Sequence, residues 1–221
     1  MPNTQTRRVF TLKKQTRFYL AVGFLIAFIL WTILISLVDL QPIGPQDSTV
    51  GLAKLNQSFH QMTGVHMTLY VITDWLGLVP LVTILGFALL GITQWIKRRT
   101  IQKVDTNILF LGLFYLVVLG VFLLFEEIVI NYRPILIDGI LEASYPSSTT
   151  MLALCVMPTA IIQFHKYVQN KILYRFIATL IIGFTAFMVV GRLISGVHWF
   201  TDIIGGIFLS SGLVLMYDSF Q

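Results

Sequence analysis

Charge is scarce in this chain. Of 221 residues only 11% are Asp, Glu, Lys or Arg, against about 25% in an ordinary soluble domain, so there is too little polar surface to coat a water-soluble fold. A disordered tail or a nucleic-acid module would need far more charge, which excludes both classes and leaves no nucleic-acid partner. Cysteine is nearly absent as well. The single Cys155 excludes an intramolecular disulfide and a Cys-rich metal site, and four scattered histidines argue against a His-rich one. Internal repeats and low-complexity tracts are also missing, so the chain reads as one domain, residues 1–221. What is abundant is apolar: 56% of residues are hydrophobic and the mean hydropathy is +0.82. The solvent for such a chain is lipid.

Marking every ionisable residue leaves four uncharged runs of 20 to 22 residues, at 18–38, 75–96, 106–125 and 143–164. Each is long enough to cross the hydrocarbon core as a helix. Two shorter runs follow, 176–191 and 203–217, of 16 and 15 residues. They become spanning helices if Arg192 and Asp202 at their outer ends are buried in protein, which itself points to a site. The expected fold is therefore all-α: a polytopic membrane protein with six transmembrane helices. The first apolar run is too long for a signal-peptide core, so it reads as an uncleaved anchor.

The charges set the orientation. With six spans and a cytoplasmic N-terminus, the inner segments hold Arg7, Arg8, Lys13, Lys14 and Arg17, then Lys97, Arg98, Arg99 and Lys103, then Lys166, Lys171 and Arg175, which is 12 of the 15 basic residues. The outer side keeps only Lys54, Arg133 and Arg192 but carries eight of ten acids. Basic residues stay inside, so both termini are expected in the cytoplasm. The net charge of +5 is then mainly a topology signal.

The longest loop, about 39–74 and on the outside, carries Leu52, Leu55, Phe59, Met62, His66 and Leu69 at alternating three- and four-residue steps. That period predicts an amphipathic interfacial helix, N-capped by Asp47 or Ser48, which caps the bundle or shapes an entrance for a lipid. His60 and His66 are six apart and do not share a helical face, so a metal site there is not expected. Gly205, Gly206, Ser210, Ser211 and Gly212 suit close helix packing, Cys155 suits a buried position, and Trp199 and Phe200 suit interface anchors.

Three polar patches fall at the outer ends of spans three to six. They are Glu126 to Pro134, ending in Arg133-Pro134; Tyr145 to Thr150; and Gly191 to Asp202, containing Arg192 and His198. Two arginines supply forked donors for phosphate oxygens. Pro146 can start a helix whose amides at Ser147, Ser148 and Thr149 point outward unpaired, with their hydroxyls alongside, a ready anion site. His198 and Asp202 are one helical turn apart, so the carboxylate can orient one imidazole nitrogen while the other faces a ligand. The plain structural alternative is a capping His–Asp pair, with the arginines as anchors or as partners of Glu126, Glu127 and Glu142.

In order and spacing the patches resemble the signature of the type-2 phosphatidic acid phosphatase superfamily, six-helix membrane lipid phosphatases. That signature reads Lys, six residues, Arg-Pro; then Pro-Ser-Gly-His; then Ser-Arg, five residues, His, three residues, Asp. Arg133-Pro134 matches the end of the first part and Pro146-Ser147 the start of the second, while Arg192, His198 and Asp202 match the third. The resemblance implies that His198 attacks phosphorus to form a phosphohistidine, with Asp202 as its partner. Arg133, Arg192 and the Ser147, Ser148 and Thr149 segment would hold the phosphoryl oxygens, and no metal or cofactor is required.

The chain departs from the signature at three places. Glu126 stands at the position of the family's Lys, Gly191 precedes Arg192 where Ser is usual, and Ser148-Thr149 replace Gly-His. The replaced histidine is the family's general acid, whose loss costs about 10²–10⁴-fold when the leaving group is an alkoxide. A phosphate leaving group needs protonation less. The expected function is thus a phosphoric ester or anhydride hydrolase acting on a lipid phosphate or diphosphate. A polyprenyl diphosphate such as undecaprenyl diphosphate is favoured, linked to carrier recycling in cell-wall synthesis. Glu126 is a candidate substitute acid if burial raises its pKa, or else a partner that neutralises Arg133. The alternative is a catalytically impaired relative that binds phosphorylated lipid or a membrane partner. A transporter would carry its ionisable groups near the bilayer midplane instead.

Overall fold

The computed structural model describes residues 13–221; Arg7 and Arg8, counted above with the inner charges, lie outside the described residues. The helices are α1 (Lys14–Leu37), α2 (Ala53–Thr63), α3 (Met67–Leu76), α4 (Leu78–Arg98), α5 (Thr106–Glu127), α6 (Ser148–Tyr167), α7 (Lys171–Ile194) and α8 (Phe200–Phe220). No strand occurs among the described residues. Counting α3 and α4 as one 32-residue segment, six helical segments are long and apolar enough to cross a membrane. An apolar run in hydrocarbon must satisfy its backbone internally, and a helix does so.

The two short runs lengthen for a specific reason. α7 reaches 24 residues and α8 reaches 21 by taking in Arg192 and Asp202, which are 2% and 0% exposed. Burial within the bundle removes the cost of placing these charges against lipid.

The outer loop differs from the expected single amphipathic helix. Gly64 ends α2 with a positive φ of 69°, so the periodic stretch divides: Leu69 belongs to α3, and the second span begins at Met67 rather than Trp75. Asp74 is consequently a helix residue. Within α2 the buried positions are Ala53 and Asn56, whereas Leu55 and Met62 of the apolar stripe are exposed. The N-cap is Leu52, not Asp47 or Ser48. Phe59 packs on Phe200 with ring centroids 4.7 Å apart, which seats α2 over the start of α8.

α6 and α8 form the centre, with half of each spanning window buried and less than a third of every other one. α1 runs antiparallel along α8: Arg17 pairs with Asp218 at 2.6 Å, Leu25 faces Gly212, and Trp31 Nε1 donates to the Thr201 carbonyl at 3.1 Å. Gly205 faces the ring of Tyr145, so the small residues of α8 do serve packing. Cys155 is fully buried in the same core. At the end of the bundle where α4 meets α5, Arg98 pairs with Asp105 at 2.7 Å and Tyr167 adds a hydrogen bond to the same carboxylate. The opposite end holds the three polar patches.

Candidate functional site

The bundle brings all three patches together. Arg133 sits in the α5–α6 loop, which a short bridge between Tyr132 and Ala143 folds back on itself. Its backbone amide donates to the Glu142 carbonyl at 3.0 Å. From there Arg133 Nη1 donates to His198 Nε2 at 3.3 Å and lies 3.5 Å from the Val197 carbonyl. Since a guanidinium only donates, Nε2 carries the lone pair and the imidazole proton is on Nδ1. That Nδ1 faces Asp202 Oδ2 at 3.7 Å, longer than a hydrogen bond, and has no other partner. A contact of this length can tighten when substrate arrives.

Burial first, then the charges of Arg133 and Arg192, hold the His198 imidazole well below its ordinary pKa of 6.5. A neutral ring with a bare Nε2 beside a guanidinium is the form needed for attack on phosphorus. Asp202 also caps α8, with Oδ2 accepting the Trp199 amide at 2.9 Å. The same carboxylate oxygen thus caps α8 and faces the imidazole. Trp199 is 3% exposed and donates from Nε1 to the Tyr132 carbonyl at 2.7 Å. This corrects the expectation of an interface anchor: the indole pins the Arg133 loop to the histidine turn.

Arg192 is held by α3. Nη2 donates to the Thr149 hydroxyl at 2.7 Å and to Asp74 at 3.3 Å, Nη1 approaches Thr73 Oγ1 at 3.4 Å, and the guanidinium lies 4.9 Å above the Tyr70 ring. Arg133 Nε lies 2.9 Å from Glu142 Oε2 but without hydrogen-bond alignment. Arg192 Nε is likewise buried without an acceptor. Two shielded guanidinium donors without aligned partners suit an incoming phosphate oxygen.

The α6 N-terminus is partly as expected. The Ser147 amide donates to the Asp202 carbonyl at 3.1 Å and its hydroxyl to Thr150 at 3.0 Å, so Ser147 is a buried brace between α6 and α8 rather than a free phosphate donor. The first helical amide bond is that of Met151 to the Ser147 carbonyl. The amides of Ser148 and Thr149 in the first turn thus have no intrahelical acceptor. Glu126 is exposed at the end of α5, not buried as the expected substitute acid requires; nor is it the partner of Arg133, a place taken by Glu142. Glu126 nonetheless lines a small cavity with Tyr145, Pro146, Ser148 and His198.

A second cavity lies beside the first. An apolar groove of about 1050 Å³ runs between α4 and α5 with α6 as its floor, from Asp74, Ser148 and Thr149 at its polar end to Trp95 at the other. Leu78 to Trp95 is 18 residues of helix, about 27 Å at the usual rise. Leu81, Leu113 and Leu116 in its walls are exposed, so the groove opens sideways. Ser148 lines both cavities.

Tyr70, Thr73, Asp74, Asn131 and Ser144 were not marked by the sequence reading. Asp74 carries a usable signal, an ionisable residue in a helix that leads into a span; the others are ordinary polar or aromatic residues whose place shows only in three dimensions.

No match to a curated protein sequence was found. The chain is similar in structure to the crystal structure of a transmembrane PAP2-type phosphatidylglycerolphosphate phosphatase from Bacillus subtilis, with a TM-score of 0.56 and 17% identity over 91% of this chain and 94% of that one. At that identity the likeness speaks for the six-helix fold. The family model of the PAP2 superfamily matches residues 126–220, from Glu126 at the end of α5 through α8, and so includes Arg133, Arg192, His198 and Asp202. Over this region the chain is similar to the PAP2 superfamily.

Proposed function

We propose that the protein is a membrane lipid phosphatase that works through a phosphohistidine on His198 and favours a lipid diphosphate, with a polyprenyl diphosphate as the preferred substrate. The PAP2 family match over residues 126–220 and the likeness in fold to a PAP2-type phosphatase support the lipid phosphatase. The observation that carries the mechanism is the neutral His198 with Nε2 turned to Arg133 and Nδ1 turned to Asp202. In this reading Nε2 attacks the terminal phosphorus and the bond to the bridging oxygen breaks. The leaving lipid monophosphate keeps the electron pair. Water then attacks the phosphohistidine and releases inorganic phosphate, restoring Nε2. Asp202 stabilises the imidazolium character that develops at Nδ1, and Arg133, Arg192 and the Ser148 and Thr149 amides stabilise charge on the phosphoryl oxygens.

The diphosphate preference rests on Thr149. Its hydroxyl accepts from Arg192, and a hydroxyl in that place is no general acid for an alkoxide at neutral pH. The groove between α4 and α5 supports a lipid tail reaching the site from the membrane. The excess of basic residues on the opposite rim supports an outer-face active site with both termini inside. The exposed Glu126 and the Thr149 substitution are the observations that favour the second reading, a lipid-binding relative without turnover.

The test is phosphate release in detergent from undecaprenyl diphosphate, phosphatidylglycerol phosphate and phosphatidic acid, with trapping of acid-labile phosphate on the protein. Release fastest from the diphosphate, with both signals lost in His198→Ala, is the expected result. Equal rates for phosphatidic acid and the diphosphate would overturn the substrate class. Binding without release in the unmodified protein would select the second reading.

A further inference from the structure

The Asp202 carboxylate is completely buried, and its two oxygens have separate tasks. Oδ2 faces His198 and accepts the Trp199 amide, whereas Oδ1 faces Asn131 Nδ2 at 3.5 Å. Asn131 is 1% exposed, and its side chain has one workable orientation. The Gly51 amide, which can only donate, points at Asn131 Oδ1 from 3.3 Å, so the NH₂ group is left for Asp202. The Asn131 backbone is fixed too: its carbonyl accepts from the amide of Ser144 at 2.9 Å and from the hydroxyl of Ser144 at 3.1 Å.

A second asparagine grips the same loop peptide from its other side. Asn56 of α2, fully buried, donates from Nδ2 to the Gly51 carbonyl at 2.9 Å and to Thr201 Oγ1 at 3.0 Å. Its Oδ1 accepts the Thr201 amide at 3.2 Å, one residue before Asp202. Gly51 itself approaches α1 so closely that a Cβ there would fall 1.6 Å from the Ile35 carbonyl oxygen, so only glycine fits. The loop is thus clamped to α1, α2 and the start of α8, and presents a fixed amide to Asn131.

We infer that Asn131 is a positioning residue for the reaction, holding the plane of the Asp202 carboxylate so that Oδ2 stays aimed at His198, with Gly51 and Asn56 as its support. The inference rests on the phosphohistidine reading above. It assigns a part in the reaction to the segment Gly51 to Asn56, which precedes the family-matched region. α2 then does more than cap the bundle: it carries the asparagine that locks the aspartate's scaffold. At 3.5 Å the Asn131 contact is long for a charge-assisted hydrogen bond, so its part is to set the direction of the carboxylate.

The test uses the full chain in detergent with undecaprenyl diphosphate, comparing the unmodified protein, Asn131→Asp, Asn131→Ala and His198→Ala. Asn131→Asp keeps the shape and the acceptor for Gly51 but loses the donor. The expected result is a kcat lowered about 10- to 100-fold, with KM unchanged within about twofold and slower phosphohistidine formation in single-turnover trapping. A merely structural asparagine would lower Tm and leave kcat per folded molecule unchanged, and that outcome in both Asn131 variants, with His198→Ala inactive, overturns the inference. Activity retained by His198→Ala would instead remove the phosphohistidine itself, and the positioning role with it.

Discussion

Arg192 Nη2 donates to the Thr149 hydroxyl across 2.7 Å, joining the third polar patch to the second at the position where the signature has its acid. Thr149 is therefore a tether for Arg192, the arginine proposed to bind phosphate, and not a vacancy. The same guanidinium is steadied by Asp74, Thr73 and Tyr70 from α3. Threonine here fixes the arginine and gives up protonation of the leaving oxygen, a trade that suits a substrate whose leaving group is already a phosphate.

Restoring an imidazole should therefore widen the substrate range. Thr149→His is expected to raise phosphatidic acid hydrolysis by about 10²-fold, the lower end of general-acid effects, and to change diphosphate hydrolysis far less. Phosphate release from the two lipids under matched detergent conditions measures the ratio.

On the proposed reading Asp74 competes with substrate for Arg192: their ion pair spans 3.3 Å and the Asp74 side chain is 58% exposed. With one partner this exposed, the screened pair is weak, within about 1 kcal/mol. Asp74→Asn should tighten inhibition by inorganic phosphate by about two- to fivefold. A phosphate titration of the hydrolysis rate reads the effect, and unchanged inhibition would show that Asp74 does not occupy the arginine in solution.

The imidazole of His198 is held well below 6.5 by burial and by two guanidinium groups. A nucleophile so depressed stays neutral as pH falls through 6.5, so the acidic limb of kcat/KM assigned to His198 should have its midpoint clearly below that value. Stability follows the same sign: once pH drops below the unfolded histidine value the unfolded chain takes up a proton that the folded site refuses, and Tm should decline. Rate and melting profiles across that range test both.

Gly112 lines the groove, and a Cβ added there meets nothing within 4 Å. Gly112→Phe should consequently leave folding intact and fill the groove. For a long-chain lipid diphosphate KM is expected to rise about tenfold, in line with steric discrimination in apolar pockets, while a short-chain soluble diphosphate keeps its KM. Equal effects on both would remove the groove from substrate binding.

Much of this arrangement was legible in the residues. Uncharged runs marked the spans, and the spacing of Arg133, Arg192, His198 and Asp202 marked the site. Arg192 and Asp202 even explained why two runs looked short, since each charge ends an uncharged run but not its helix. Other features were not legible because their meaning lies in pairing across distant segments. Asn131 meets Asp202 over 71 positions, Asp74 meets Arg192 over 118, and Asn56 meets Thr201 over 145. The apolar stripe of α2 misled for a physical reason. Lipid accepts an outward apolar face, and here Leu55 and Met62 turn out while polar Asn56 turns in.

The groove between α4 and α5 opens along its flank, with Phe122, Ser148 and Met151 shared by it and the cavity at His198. A molecule that feeds sideways from the bilayer is sampled in two dimensions. The quantity that sets turnover is then the mole fraction of substrate among the surrounding lipids, not its amount per volume of buffer. Diluting the substrate with inert lipid or detergent at constant total substrate should slow the reaction as surface dilution, the behaviour expected on the proposed reading of a lipid whose chain stays dissolved in the membrane while its phosphate is removed.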